Sequence, residues 1–185
     1  MFDKKMENQI QICIQNKWHC CIKREKIDDC SLFCIPQKMS KDLLLLSYTY
    51  DFQFDGYQII RTRDITFVRR EETEEHSEMI FEKEKIFQPY SCVMQIEIDS
   101  FYTIFQQLVN QNIIIECENK EDPAFFIGEI MHVTNDSVDI WNFDGVGEWD
   151  EFPTTVNYAD ITCLTLESKY LNLMSKYTSE RKALL

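Results

Sequence analysis

Two groups of residues have types that could do chemistry. His19, Cys20 and Cys21, with Cys30 and Cys34 downstream, offer imidazole and thiolate, the ligands zinc prefers. Their spacing argues against a zinc site. Cys20 and Cys21 are adjacent and would point to opposite faces of a strand, and no Cys-x-x-Cys occurs. A cysteine nucleophile needs a neighbouring base and a lowered pKa, and the sequence shows neither arrangement. His76 and His132 are isolated. The second group is the loop around Trp149, where Asp144, Glu148, Asp150 and Glu151 could gather a calcium ion or a basic peptide. The EF-hand register is absent. Solvated charge around one aromatic anchor is the reading the spacing favours, and such an aromatic is a natural hot spot for a protein partner. No Walker loop, dinucleotide fingerprint or Gly-x-Ser-x-Gly is present.

The elements that would position these residues follow a pattern written twice. Ile113, Ile115 and Cys117 alternate with Ile114, Glu116 and Glu118 as on a half-buried strand, and a turn is expected at Lys120 to Pro123. Phe125 to Val133 is the next strand, with Gly128 where a missing side chain permits a bend or a close backbone approach. Val138 to Phe143, Thr154 to Tyr158 and Ile161 to Leu166 complete five strands. Moving back ninety-five positions brings Ile113, Ile115 and Cys117 onto Trp18, Cys20 and Ile22, and Val138 to Phe143 onto Leu43 to Tyr48. The same shift matches Trp149-Asp150 with Phe54-Asp55, and a one-residue indel then matches Asp160-Ile161-Thr162 with Asp64-Ile65-Thr66. The binding residues expected from this reading are Phe54, Asp55, Trp149, Asp150 and Glu151. No catalytic residue, metal ligand or cofactor is expected.

Each repeat begins with a helix. Met6, Ile10, Cys13 and Ile14 make one apolar stripe, and Phe101, Phe105, Leu108 and Val109 make the other, behind a cap at Asp99 or Ser100. The first set of strands runs through Trp18 to Lys23, Leu32 to Lys38, Leu43 to Tyr50, Tyr57 to Arg61 and Ile65 to Arg69, with Phe54-Asp55-Gly56 as the turn before the fourth. Leu43 to Leu46 lacks alternation, as in a strand buried on both faces. Glu71 to Lys85, with seven acids, predicts an exposed helix or linker. Met94, Ile96 and Ile98 predict an extra strand joining the repeats. Ser168 to Leu185 predicts a closing helix that docks through Tyr170, Leu171, Met174 and Tyr177. The expected division is 1–70 and 99–167 as modules, 71–98 as a charged connection and 168–185 as the C-terminal helix.

A helix followed by five short, bent strands resembles the Sm-like fold, an SH3-like small barrel. The chain is also similar in pattern to uncharacterised bacterial tandem-barrel proteins with an aromatic-Asp pair before the fourth strand and an Asp-Ile pair before the fifth. Here these are Phe54-Asp55 with Asp64-Ile65, and Trp149-Asp150 with Asp160-Ile161. The resemblance implies a mainly β fold with flanking helices, built as two tandem Sm-like helix-plus-five-strand barrels. Sm proteins assemble through strand edges, so an oligomer is compatible with it. They read RNA with an Asn turn and an Arg-Gly turn, and neither repeat keeps that set: Ile60-Arg61-Thr62 lacks the glycine and the second repeat has Val156-Asn157-Tyr158.

Charge points the same way. Of a net −13, residues 86–185 contribute sixteen acids against five bases, whereas residues 1–70 carry nine acids and twelve bases. Such a surface repels phosphate backbones and anionic membranes and favours basic protein partners. Eight cysteines without a signal peptide, and no apolar run near the roughly twenty residues that cross a bilayer, lead to the expectation of a reducing, cytoplasmic setting with no membrane contact. The expected function is a non-enzymatic protein-binding module of inhibitor or immunity type; the alternative is an Sm-like nucleic-acid-associated protein, with RNA disfavoured by charge.

Overall fold

The computed structural model describes residues 3–120 and 125–182. The chain is mainly β, with ten antiparallel strands and four α-helices among these residues, and it divides into two compact units, Met1–Ile98 and Asp99–Leu185. The turn expected at Lys120 to Pro123 falls largely outside the described residues.

In the first unit α1 (Lys4–Asn16) precedes β1 (Cys20–Lys23), β2 (Ser31–Met39), β3 (Leu43–Tyr50), β4 (Gln53–Arg61) and β5 (Phe67–Arg69), which lie in the order β5-β1-β2-β3-β4. Asp3 begins α1 by accepting from the Lys5 amide (2.9 Å), and left-handed Lys17 ends it. Its stripe buries Ile10 and Cys13. Leu43 to Leu46 are each no more than 1% exposed, so both faces of β3 are covered. Burial of each such leucine is worth about 1.5–3 kcal/mol, which makes this strand the first unit's largest apolar investment.

The second unit repeats the plan: α3 (Phe101–Leu108), then β6 (Ile114–Asn119), β7 (Phe125–Val133), β8 (Ser137–Asn142), β9 (Thr154–Asn157) and β10 (Ile161–Leu166), in the order β10-β6-β7-β8-β9. Counted from its own helix, each unit has the same strand order. Each second strand also carries a one-residue bulge against the third, at Gln37 and at Met131. Ser100 caps α3 through the Thr103 amide (3.1 Å), and Phe101, Ile104, Phe105 and Leu108 are buried. Gly128 faces Asn142 across the β7–β8 ladder, and a Cβ there would stand 1.9 Å from the Trp141 carbonyl oxygen. The missing side chain thus permits the strands' close approach.

Three sequence expectations are corrected. Met94 to Ile98 is no strand: Cys92–Gln95 forms a 3-10 turn that Ser91 caps, and the alternation reflects Val93, Ile96 and Ile98 pressing inward from irregular chain. This segment is tied down by side chains, with Gln88 donating to Ser47 Oγ (2.6 Å), Tyr57 to the Pro89 carbonyl (3.1 Å) and Lys38 to the Ile96 carbonyl (3.0 Å). Phe54-Asp55-Gly56 is no turn but part of β4. The hairpin turns earlier, at Asp51-Phe52, and Gly56 (φ 79°) occupies the bulge opposite β3. The closing helix α4 (Lys169–Lys182) docks through Leu171 and Thr178, with Met174 half-buried, while Tyr170 and Tyr177 face solvent.

Candidate functional site

Glu72–Lys83 forms α2, a helix of the first unit whose sequence has almost no apolar face. Polar pins hold it. Glu74 is buried and accepts from Arg69 Nη2 (2.7 Å) and Nε (3.2 Å), and its other oxygen accepts from the Glu71 amide (2.9 Å) to close the helix's first turn. One turn on, Glu78 takes both ends of the Arg70 guanidinium (2.7 and 2.8 Å) and the His19 amide (2.5 Å). The Arg70 guanidinium also lies 4.3 Å from the centre of the Trp18 ring, a cation–π contact. Carboxylates with fork-shaped partners fix direction as well as distance.

Pinned there, α2 forms one wall of an open cleft of about 280 Å³. Thr73, Glu74, Ser77 and Phe81 line it from the helix, Phe33, Thr49 and Tyr50 from β2 and β3, and Asp51 and Phe52 from the hairpin turn, over a floor of His19 and Cys20. Phe81 is the hub: its ring lies 4.7 Å from His19, 5.4 Å from Phe54 edge-on and 6.2 Å from Phe52. Phe33, Tyr50 and Phe52 are exposed, so the cleft presents aromatic surface to water. Asp51 (φ 45°) and Phe52 (φ 57°) are both left-handed, the geometry of a two-residue hairpin loop that normally selects Asn-Gly or Asp-Gly. A bulky aromatic there is strained, and strain of this kind gathers at functional sites.

The floor is poor in chemistry. His19 is buried, both ring nitrogens lack a hydrogen-bond partner, and Nδ1 stays 3.6 Å from Glu78. Burial lowers its pKa; the Glu78 charge opposes this without overcoming it. The Cys20 thiol is held well above its ordinary value: Cys13 pulls it down, but the contact with Cys34 (3.9 Å) and burial outweigh that. Burial also raises Cys21. These shifts run opposite to those that activate a thiolate. All eight cysteines are free, and among the described residues no group of three or more His, Cys, Asp and Glu is arranged to hold a metal ion.

No protein-family model, curated protein or solved structure matches the chain. The residues expected from sequence fall in two places. Phe54 and Asp55 lie on β4 of the first unit, where Phe54 supports Phe81 from behind the cleft. Trp149, Asp150 and Glu151 lie in the second unit between β8 and β9, with Trp149 bridged to Phe143. Trp149 is only half exposed. It packs against Trp141 (5.0 Å) and Phe143 (5.3 Å) and donates its indole N–H to the Thr178 carbonyl (3.3 Å), so it works as an anchor for α4. Asp150 and Glu151 are exposed, but Asp144 is engaged by its own loop, accepting from the Val146 and Glu148 amides (2.9 Å each). Sequence reasoning missed α2 as a wall and Asp51-Phe52 as a turn. The Arg69-Arg70 pair followed by Glu74 and Glu78 was the available signal.

Proposed function

We propose that this protein is a non-enzymatic, cytoplasmic protein-binding module, of inhibitor or immunity type, built from two tandem Sm-like units, and that the α2 cleft of the first unit is its docking site. The observation that carries this reading is the strained turn that holds Phe52 at the mouth of a water-facing, aromatic-lined cleft. An aromatic pocket of this size suits a partner's anchor side chain, and its unactivated thiols and buried imidazole offer no nucleophile. Support for the Sm-like architecture is the strand order shared by the two units, each behind its own helix. The same order favours a second reading, association with nucleic acid, which the acidic charge balance opposes.

Affinity capture from native lysate with the parent and with Phe52→Asp, identifying proteins and RNA alike, tests the reading. A protein partner lost with Phe52→Asp and kept with the exposed-site control Phe87→Asp is the expected result. Recovery of RNA, with the same proteins from both variants, would replace it with the nucleic-acid reading.

A further inference from the structure

The second unit keeps most of its few bases in one place. Of the five lysines and arginines in residues 86–185, four fall within α4 (Lys169, Lys176, Arg181 and Lys182), against a single acid, Glu180. From Ser168 to Ser179 the sequence has no acid. Helix stability does not explain the first of these bases. Lys169 stands in the opening turn of α4, where the macrodipole favours a carboxylate and opposes a cation.

α4 also carries apolar residues on two sides, and its own unit covers one of them. Leu171 (2% exposed) and Thr178 are buried, and the Trp149 indole donates to the Thr178 carbonyl. The outward side is centred on Leu173, which is 54% exposed. On a helix its surface neighbours are the residues three and four positions away, here Lys169, Tyr170, Lys176 and Tyr177. All four are exposed, Tyr170 at 44% and Tyr177 at 62%. One leucine is thus framed by two tyrosines along one flank and two lysines along the other, with the lysines about 10 Å apart along the axis.

We infer that this face of α4 docks an acidic segment of a partner protein, which sets carboxylates on Lys169 and Lys176 and an apolar side chain against Leu173 and the two tyrosines. The face belongs to the second unit and is independent of the α2 cleft. Tyrosine is prominent among the residues that dominate protein interfaces, and its hydroxyl donates to carboxylates. Two carboxylate contacts act within a screening length of about 8 Å, whereas a polyanion meets the charge of the whole chain, −13. Nucleic acid would find only two lysines here, enough for about two phosphates. An anionic membrane takes up helices with a broad apolar face, and among the described residues of α4 Leu173 is the only exposed aliphatic one. In an isologous contact with a second copy, four lysines would share one interface.

Fluorescence anisotropy on the full chain tests this with a labelled helical peptide that carries two glutamates seven positions apart beside a leucine and a phenylalanine. Companion peptides replace the glutamates by lysines, or the leucine and phenylalanine by serines; a labelled single-stranded oligonucleotide and phosphatidylserine vesicles are the competing ligands. The glutamate peptide is expected to bind, and either replacement should weaken binding at least about tenfold. Leu173→Ser with Tyr177→Ser should cost a similar factor, both positions being exposed so that the fold is kept. Lys169→Glu with Lys176→Glu should turn the preference toward the lysine peptide, more strongly at low salt than at physiological salt. Phe87→Ser, at an exposed aromatic of the first unit, should change nothing. Absence of binding by the glutamate peptide, equal binding of the lysine peptide, undiminished binding by Leu173→Ser with Tyr177→Ser, or preference for vesicles or the oligonucleotide would overturn the inference.

Discussion

At position 52 the backbone and the side chain make opposite demands, so two substitutions separate them. Phe52 sits at φ 57° in a two-residue turn, where a non-glycine residue costs about 1–2 kcal/mol. Its ring is 46% exposed, so it returns about half of what full burial of a phenylalanine would, roughly 1 kcal/mol. Phe52→Ala gives up the ring and keeps the left-handed strain. Phe52→Gly gives up the ring and relieves the strain, against about 0.5–1 kcal/mol of extra chain entropy. The glycine variant is therefore expected to lie within about 1 kcal/mol of the parent and to be about 1 kcal/mol more stable than the alanine variant. In an ordinary strand or helix the order is reversed, alanine exceeding glycine by about 0.5–1 kcal/mol. Urea melts read the difference as a midpoint shift of roughly 0.5 M, taking a slope near 2 kcal/mol/M. An alanine variant as stable as the glycine variant, or more so, would refute the strained turn and with it the argument that the turn is held for the sake of the ring.

Three further outcomes follow from geometry already described. Glu78→Ala leaves Arg70, 12% exposed, without its bidentate partner and the His19 amide without its acceptor; a loss of about 3 kcal/mol is expected, and a double-mutant cycle with Arg70→Ala should show strong coupling. A loss below about 1 kcal/mol would place the pair with ordinary surface salt bridges. Gly128→Ala drives a Cβ into the backbone at Trp141 and Asn142 and is expected to destabilise the second unit by at least about 3 kcal/mol, read as loss of its near-UV signal from Trp141 and Trp149. His19, with its pKa lowered by burial, takes up a proton more readily when the chain unfolds. Its contribution is complete above the ordinary histidine value of about 6.5 and is lost as the pH falls below it toward the lowered folded-state value. His19→Phe should flatten the stability profile just below about pH 6.5, and an unchanged slope there would show that another group is responsible.

Where apolar period and ladder agree, the fold was legible from residue types. Leu43 to Leu46 read as doubly buried, Gly128 as a bend or a close approach and Asp99 or Ser100 as a cap, because each depends on one local physical rule. The cleft was not legible for reasons equally physical. Periodicity looks for an apolar stripe, and α2 docks through Glu74 and Glu78, which resemble solvent-facing residues until Arg69 and Arg70 are placed opposite them. Gly56 attracted the turn to itself, whereas the chain turns on Asp51-Phe52, which lacks glycine, and uses Gly56 in a bulge. Alternation at Met94 to Ile98 suits a strand, but a 3-10 turn and irregular chain bury the same residues. Trp149 reads from sequence as an exposed hot spot for a protein partner; in the structure it is half-buried and its indole N–H donates to the Thr178 carbonyl of α4 in its own unit.

The polar docking of α2 makes the cleft conditional. A helix with little apolar stripe gains little by forming alone, since isolated helices of its length are marginal in water. It becomes a wall only after the sheet has brought Arg69, Arg70 and the His19 amide into line. Two carboxylate–guanidinium contacts and the burial of Phe81 therefore set how firmly α2 is held, and with it the fraction of molecules competent to bind. Any ligand's apparent affinity is scaled by that fraction, so weakening Glu78 or Arg70 lowers affinity without altering Phe33, Phe52 or Phe81. Occupancy of the cleft, by the same linkage, tightens α2, and amide exchange along Glu72–Lys83 becomes a direct reporter of whether the site is filled.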